Sequence, residues 1–142
     1  MTFVKTTLAS LILTGAMAVV SGNVLAHGDV TPQAVDTTGL DKLGDGWRKS
    51  NPYRKHDLAI KIGSSAYNQN CARCHGLSAI SGGIAPDLRK LPLGDEGDEI
   101  FTMRVRNGAT RNGAVYMPKF EGIISQEALW TIRSWLETVH EE

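Results

Sequence analysis

The stretch "YNQNCARCHGLSAI", Tyr67 to Ile80, carries both cysteines of the chain, two residues apart and followed at once by a histidine. Four chemistries use such a cluster: a disulfide, a redox-active dithiol, a zinc site, or covalent attachment of a haem. A Cys71–Cys74 disulfide is reasonable in an oxidising compartment. A thioredoxin-like dithiol needs a strand–helix–strand setting, and no alternating strand runs surround this one. Structural zinc needs a fourth ligand, and His27, His56, His140 and the carboxylates fall outside zinc-finger spacing.

The C-x-x-C-H pattern gives each position a role in haem attachment. Two thiols at this spacing add across the two vinyl groups as thioethers, and the histidine that follows is placed to bind the iron through Nε2. On this reading Cys71, Cys74 and His75 hold one covalent haem c. The iron then takes a sixth ligand. Past residue 26 the methionines are Met103 and Met117. Met103 falls inside a predicted helix among apolar neighbours, where a core role is expected. Met117 lies in "VYMPKF", 42 residues after His75, with Pro118 stiffening the backbone behind it. It is the favoured sixth ligand. A soft thioether favours ferrous iron, so His/Met ligation raises the potential.

The N-terminus predicts the compartment. Lys5 precedes the apolar run Leu8 to Val20, and Val24 and Ala26 are the small residues of an A-x-A-like cleavage site. The apolar core falls short of the roughly 20 residues a bilayer requires, so residues 1–26 read as a cleaved export signal and the protein as periplasmic. Without Lys5, 14 basic and 15 acidic side chains remain, which gives no footprint for nucleic acid. His27 would combine an amine with an imidazole, but without a spaced second histidine it makes no copper site.

Residues 27–56 are rich in Gly, Asp, Thr and Pro and lack periodicity. They read as an irregular arm, held down through Trp47 and Tyr53. Residues 57–142 read as a domain of three main helices. Asp57 is the expected N-cap of a helix carrying Leu58, Ile62 and Tyr67 with Ala59, Gly63 and Ala66 toward Cys71. A second helix is expected over Asp98–Gly108, with acids at its start and arginines near its end. Ser125 caps a third, with Leu129, Ile132, Leu136 and Val139 on one face and Trp135 beside them. The segment from Ala109 to Ile124 is expected to be irregular.

The chain resembles the class I c-type cytochromes from about Asp57 to Val139. The resemblance implies an all-α cytochrome c fold with long loops around one covalent haem. It further implies that Gly63 and Tyr67 cross the last helix at Ile132 and Trp135. The Pro86 carbonyl, in "IAPDL", would accept the Nδ1–H of His75, and Arg89 could meet a haem propionate. "NPYR", "AIKIG" and "AYNQNCARCHGLSAISGGIAPDLR" are also similar to soluble periplasmic cytochromes that accept electrons from quinoprotein (PQQ) ethanol dehydrogenases. That likeness implies a monomeric electron carrier, not an enzyme. Its donor would be a PQQ alcohol dehydrogenase and its acceptor a downstream cytochrome or terminal oxidase. Arg104, Arg106 and Arg111 fall near the loop from Gly113 to Pro118, where they either steer an acidic partner or, as the near-zero net charge favours, form a solvated helix end. The alternative is a haem with an open sixth site, acting as gas sensor or peroxidase-like enzyme. That alternative needs a distal acid–base group, and no histidine lies near Met117 to supply one.

Overall fold

The computed structural model describes residues 31–142, so the expected export signal, its expected cleavage site and His27 lie outside the described residues. Four helices follow the arm: α1 (Asp57–Asn70), α2 (Ala72–His75), α3 (Gly94–Asn107) and α4 (Gln126–Thr138). Two short 3-10 turns, Leu77–Ala79 and Leu88–Lys90, lie between α2 and α3. Strands β1 (Ala109–Arg111) and β2 (Ala114–Met117) form an antiparallel hairpin between α3 and α4.

The crossing of α1 and α4 is the centre of the molecule. On α1 the buried face is Ala59, Gly63, Ala66, Tyr67 and Asn70, a stripe of small residues ending in one large one. Small side chains let the second helix come close: a Cβ built on Gly63 would lie 1.9 Å from the Thr131 carbonyl oxygen of α4. One turn on, the Tyr67 ring packs on Trp135 with centroids 4.5 Å apart. The glycine–aromatic pair expected at the crossing thus stands where the resemblance placed it.

Three expectations are corrected. The N-cap of α1 is His56, whose ring Nδ1 accepts from the Ala59 amide; Asp57 is the first helical residue, where its charge suits the helix dipole. Helix α3 begins four residues before the expected Asp98, at Gly94, so the glycine-flanked "GDEG" run is its first turn. The "irregular" segment after Gly108 holds the hairpin. Its turn residues Asn112 and Gly113 have φ of +50° and +79°, the left-handed pair of a two-residue hairpin loop.

Helix α4 is buried more completely than one apolar stripe predicts. Trp130, Thr131, Arg133 and Ser134 are buried along with Leu129, Ile132 and Leu136. The arm supplies the cover. Leu40, Leu43 and Tyr53 are buried in the same core as α4, and Trp47 packs beside Trp130 with ring centroids 6.5 Å apart. Backbone groups of the arm meet side chains at the start of α4: Gln126 Nε2 donates to the carbonyls of Gly44 and Gly46, and Glu127 Oε1 accepts from the Leu43 amide.

Asp98 on α3 is fully buried and gathers the remaining elements. Its two oxygens accept from Arg133 Nε at 2.7 Å and from Arg54 Nη2 at 2.5 Å, and from the Asn51 amide at 2.7 Å. Arg133 also donates to the Pro92 carbonyl. A buried carboxylate is tolerable only when its lone pairs are filled in this way.

Candidate haem site

Helix α2 is one turn long and begins immediately after Cys71, so the motif turns helical at once. The Cys74 and His75 amides both point at the Cys71 carbonyl, at 3.1 and 3.0 Å. The turn ends at Gly76, whose φ of +82° and ψ of 160° suit glycine alone. Helical geometry puts both thiols and the His75 imidazole on one short stretch with fixed mutual orientation. Neither cysteine is in a disulfide. Burial pushes the Cys71 thiol up to about 12, with Cys74 beside it acting the same way. The disulfide and low-pKa dithiol chemistries therefore have no support in the geometry.

His75 is buried, and its Nδ1 lies 2.9 Å from the Pro86 carbonyl oxygen. An N–H donated there fixes the tautomer: Nε2 is left with its lone pair free, and the imidazole gains basicity. Among the described residues no three His, Cys, Asp or Glu side chains converge as a metal cluster. The cysteine–histidine turn thus offers one free imidazole nitrogen and two unpaired thiols. Those donors fit a covalently attached haem and do not fit zinc.

The loop that carries Pro86 is tied down beyond it. Asp87 caps the Leu88–Lys90 turn by accepting from the Arg89 amide, and it pairs with the Arg89 guanidinium at 2.7 Å. The hydrogen bond from Arg89 holds the Asp87 carboxyl down at about 2. Arg89 also pairs with Glu141, and the Glu141 amide returns to the Arg89 carbonyl. The arginine expected at a propionate is thus engaged with carboxylates of the chain itself.

Met117 closes β2, is half-buried, and packs against the core. Its partner across the hairpin is Ala109, just past the Gly108 that ends α3, and the Phe120 amide bonds the Val105 carbonyl at 2.7 Å. The methionine is therefore held between a helix end and a strand pair, a firmer mount than the predicted loop. Met103, expected in the core, is 48% exposed. Arg106 pairs with Glu121 and lies over the Trp47 ring, while Arg111 lies over Tyr116.

Sequence reasoning missed two features of the site. The Tyr67 hydroxyl donates to the Gly76 carbonyl at 2.8 Å. Burial, aided by Cys71, raises the Tyr67 phenol above its ordinary range and keeps it a neutral donor. The second is the set of half or more exposed apolar side chains near the motif and near Met117 in the chain: Leu77, Ile80, Ile84, Leu93, Val115 and Tyr116. So many exposed large apolar groups in one small domain are available to pack against an apolar ligand.

Comparison with known proteins agrees with the donor set. The family model described as "Cytochrome C oxidase, cbb3-type, subunit III" matches residues 58–136. The chain is 70% identical over 124 residues to cytochrome c550 of Pseudomonas aeruginosa, covering 84% of this chain and 86% of that protein. It is 33% identical over 129 residues to the dehydrogenase subunit of the alcohol dehydrogenase (quinone) of Gluconobacter oxydans, 87% of this chain but 16% of that one. Cytochrome CL of Methylophaga aminisulfidivorans shares the fold, with a TM-score of 0.53 at 22% identity over 72% of each chain. With one C-x-x-C-H turn and a family model spanning α1 to α4, the chain belongs to the monohaem c-type cytochromes, electron-transfer proteins with covalent haem c rather than enzymes.

Proposed function

We propose that this cytochrome is a periplasmic one-electron carrier whose haem is bound through Cys71 and Cys74 and ligated by His75 and Met117. The observation that carries the ligand assignment is the Pro86 carbonyl 2.9 Å from His75 Nδ1, which leaves Nε2 as the free nitrogen. When bound, the haem supplies a reversible Fe(III)/Fe(II) couple. The chain keeps the ligands in place. Pro86 orients the imidazole, the hairpin anchors Met117, and the exposed apolar side chains from Leu77 to Tyr116 are apolar cover for the ring. Little has to move when the charge changes, which is what a carrier needs.

Quinoprotein alcohol dehydrogenases are the donor class we favour. The quinohemoprotein alcohol dehydrogenase ADH-IIG of Pseudomonas putida is 29% identical to this chain over 133 residues, which is 18% of that enzyme. The Gluconobacter subunit aligns over a similarly small share of its own length. These enzymes thus carry, within one polypeptide, a segment like most of this chain. A separate carrier of the same kind suits a dehydrogenase that lacks the segment. Among the described residues no helix is long and apolar enough to cross a membrane.

Two experiments test this reading. Optical spectra of the matured protein and of Met117→Ala should show covalent haem c in both, and a far-red sulfur-to-iron band in the oxidised wild type alone. Retention of that band in the variant would remove Met117 as ligand, and carbon monoxide binding to the ferrous wild type would favour an open site. Stopped-flow mixing with a reduced PQQ alcohol dehydrogenase should reduce the haem within the turnover time of the enzyme. Slower reduction would exclude that donor.

A further inference from the structure

The backbone behind His75 takes a conformation that local sequence does not favour. Gly76, Ser78 and Ala79 all have positive φ, at +82°, +57° and +64°. Ser78 and Ala79 are not glycines, and an L side chain in this region is strained. A Cβ at Gly76 would lie 1.8 Å from the Ile80 carbonyl oxygen, so the loop folds tightly back on the residue that follows His75. Strain of this kind persists where surrounding contacts over-determine it.

The restraint comes from α1. The helical hydrogen bonds of α2 end with the Gly76 amide on the Ala72 carbonyl, and the Gly76 carbonyl is taken by the Tyr67 hydroxyl at 2.8 Å. Tyr67 is fully buried, and its ring rests on Trp135, so the α1–α4 crossing sets the position of that hydroxyl. Packing at the crossing needs only the ring, which a phenylalanine would supply. The oxygen does something else.

We infer that Tyr67 is a positioning residue for His75: its hydroxyl pins the Gly76 carbonyl, holds the left-handed loop Gly76–Ala79, and so fixes the backbone of His75 while Pro86 fixes the ring. The inference rests on the reading of His75 as the haem ligand. One restraint on the backbone after His75 and one on its ring set the plane of the imidazole, and the plane in turn tunes the spectrum and potential of the iron it would bind.

The test uses the full-length, haem-loaded protein. Tyr67→Phe keeps the ring and removes the oxygen. The expected result is a change in the electron paramagnetic resonance g-values of the oxidised protein and a shifted midpoint potential. Adding Ser78→Gly, at an exposed position where glycine relieves the strain, should move both back toward wild type. Trp47→Ala lowers stability through its contact with Trp130, away from Tyr67 and its hydroxyl, and should leave the g-values unchanged. Unchanged g-values and potential in Tyr67→Phe would overturn the inference, as would the same shift from Trp47→Ala. If Tyr67→Phe fails to accumulate with haem, recovery in the double variant with Ser78→Gly supports the restraint and failure to recover overturns it. A wild type without the signature of imidazole ligation would instead overturn the ligand assignment itself.

Discussion

Gly63 on α1 faces the Thr131 carbonyl on α4 so closely that a methyl group would sit 1.9 Å from the oxygen. Two effects of Gly63→Ala oppose each other. Alanine is the better helix former by about 1 kcal/mol. Against that, the helices would have to part, and overpacking of a close contact costs about 1–3 kcal/mol or more. The opposing group is backbone and cannot swing aside, so packing should win. The thermal midpoint of the haem-loaded protein is expected to fall; a rise would show that the crossing is loose.

The buried ion pair of Asp98 and Arg133 gives the second prediction. Arg133 is 1% exposed and lies 2.7 Å from a carboxylate with no exposure at all. Arg133→Ala leaves that charge with the half-exposed Arg54 and strips the Pro92 carbonyl of a donor. The expected loss is about 3–5 kcal/mol in urea unfolding. Replacing both partners, Asp98→Leu with Arg133→Met, should cost less than Arg133→Ala alone, because no buried carboxylate is then left without the Arg133 charge. A double variant that is worse than the single would show that the pair's own attraction dominates.

Acid should act on the Pro86 strap through Asp87. Its carboxyl is held down at about 2 by Arg89, below the roughly 3.9 of an unfolded aspartate. A folded-state value below the unfolded one means stability that is present above about pH 4 and is lost as pH falls through about 2. Between those limits the thermal midpoint of Asp87→Asn should fall less steeply than that of the wild type. Parallel acid limbs would mean that the Asp87–Arg89 clip does not contribute to folding.

What was legible in the sequence follows the range of each interaction. The cysteine–histidine turn is read directly because its chemistry lies within five consecutive residues. Helix α4 is read from its apolar period, yet the burial of Arg133 and Ser134 is not, because it depends on an arm some 80 residues away whose lack of periodicity hides Leu40 and Leu43 as core residues. The start of α3 is hidden by Gly94 and Gly97, which look like loop residues, yet Gly94 supplies a φ of +70° and Gly97 lets Arg133 and the Pro92 carbonyl approach. The hairpin was announced by Asn112-Gly113 and overlooked because strands of three and four residues show too little alternation. The Tyr67 hydroxyl bond could not be foreseen, since it requires three positive φ angles that only the folded loop displays.

The arm supplies the last prediction. It contributes Leu40, Leu43 and Tyr53 to the core and Asn51 to Asp98 and Ser134, and its loop from Gly44 to Arg48 clasps Gln126. Deleting residues 27–56 would leave Asp98, Gln126, Glu127 and Ser134 short of partners and uncover Trp130. The haem-loaded protein is expected to lose most of its stability, because unpaired buried polar groups cost about 1–3 kcal/mol each. A gentler probe is Trp47→Ala, which removes the contacts with Trp130 and with the Arg106 guanidinium 5.0 Å from its ring. Trp47 is only partly buried, so the loss should fall below the roughly 3–5 kcal/mol of a fully buried tryptophan, at about 2 kcal/mol. An unchanged urea midpoint for Trp47→Ala would mean that the arm is carried by its hydrogen bonds to α4 and not by this aromatic contact.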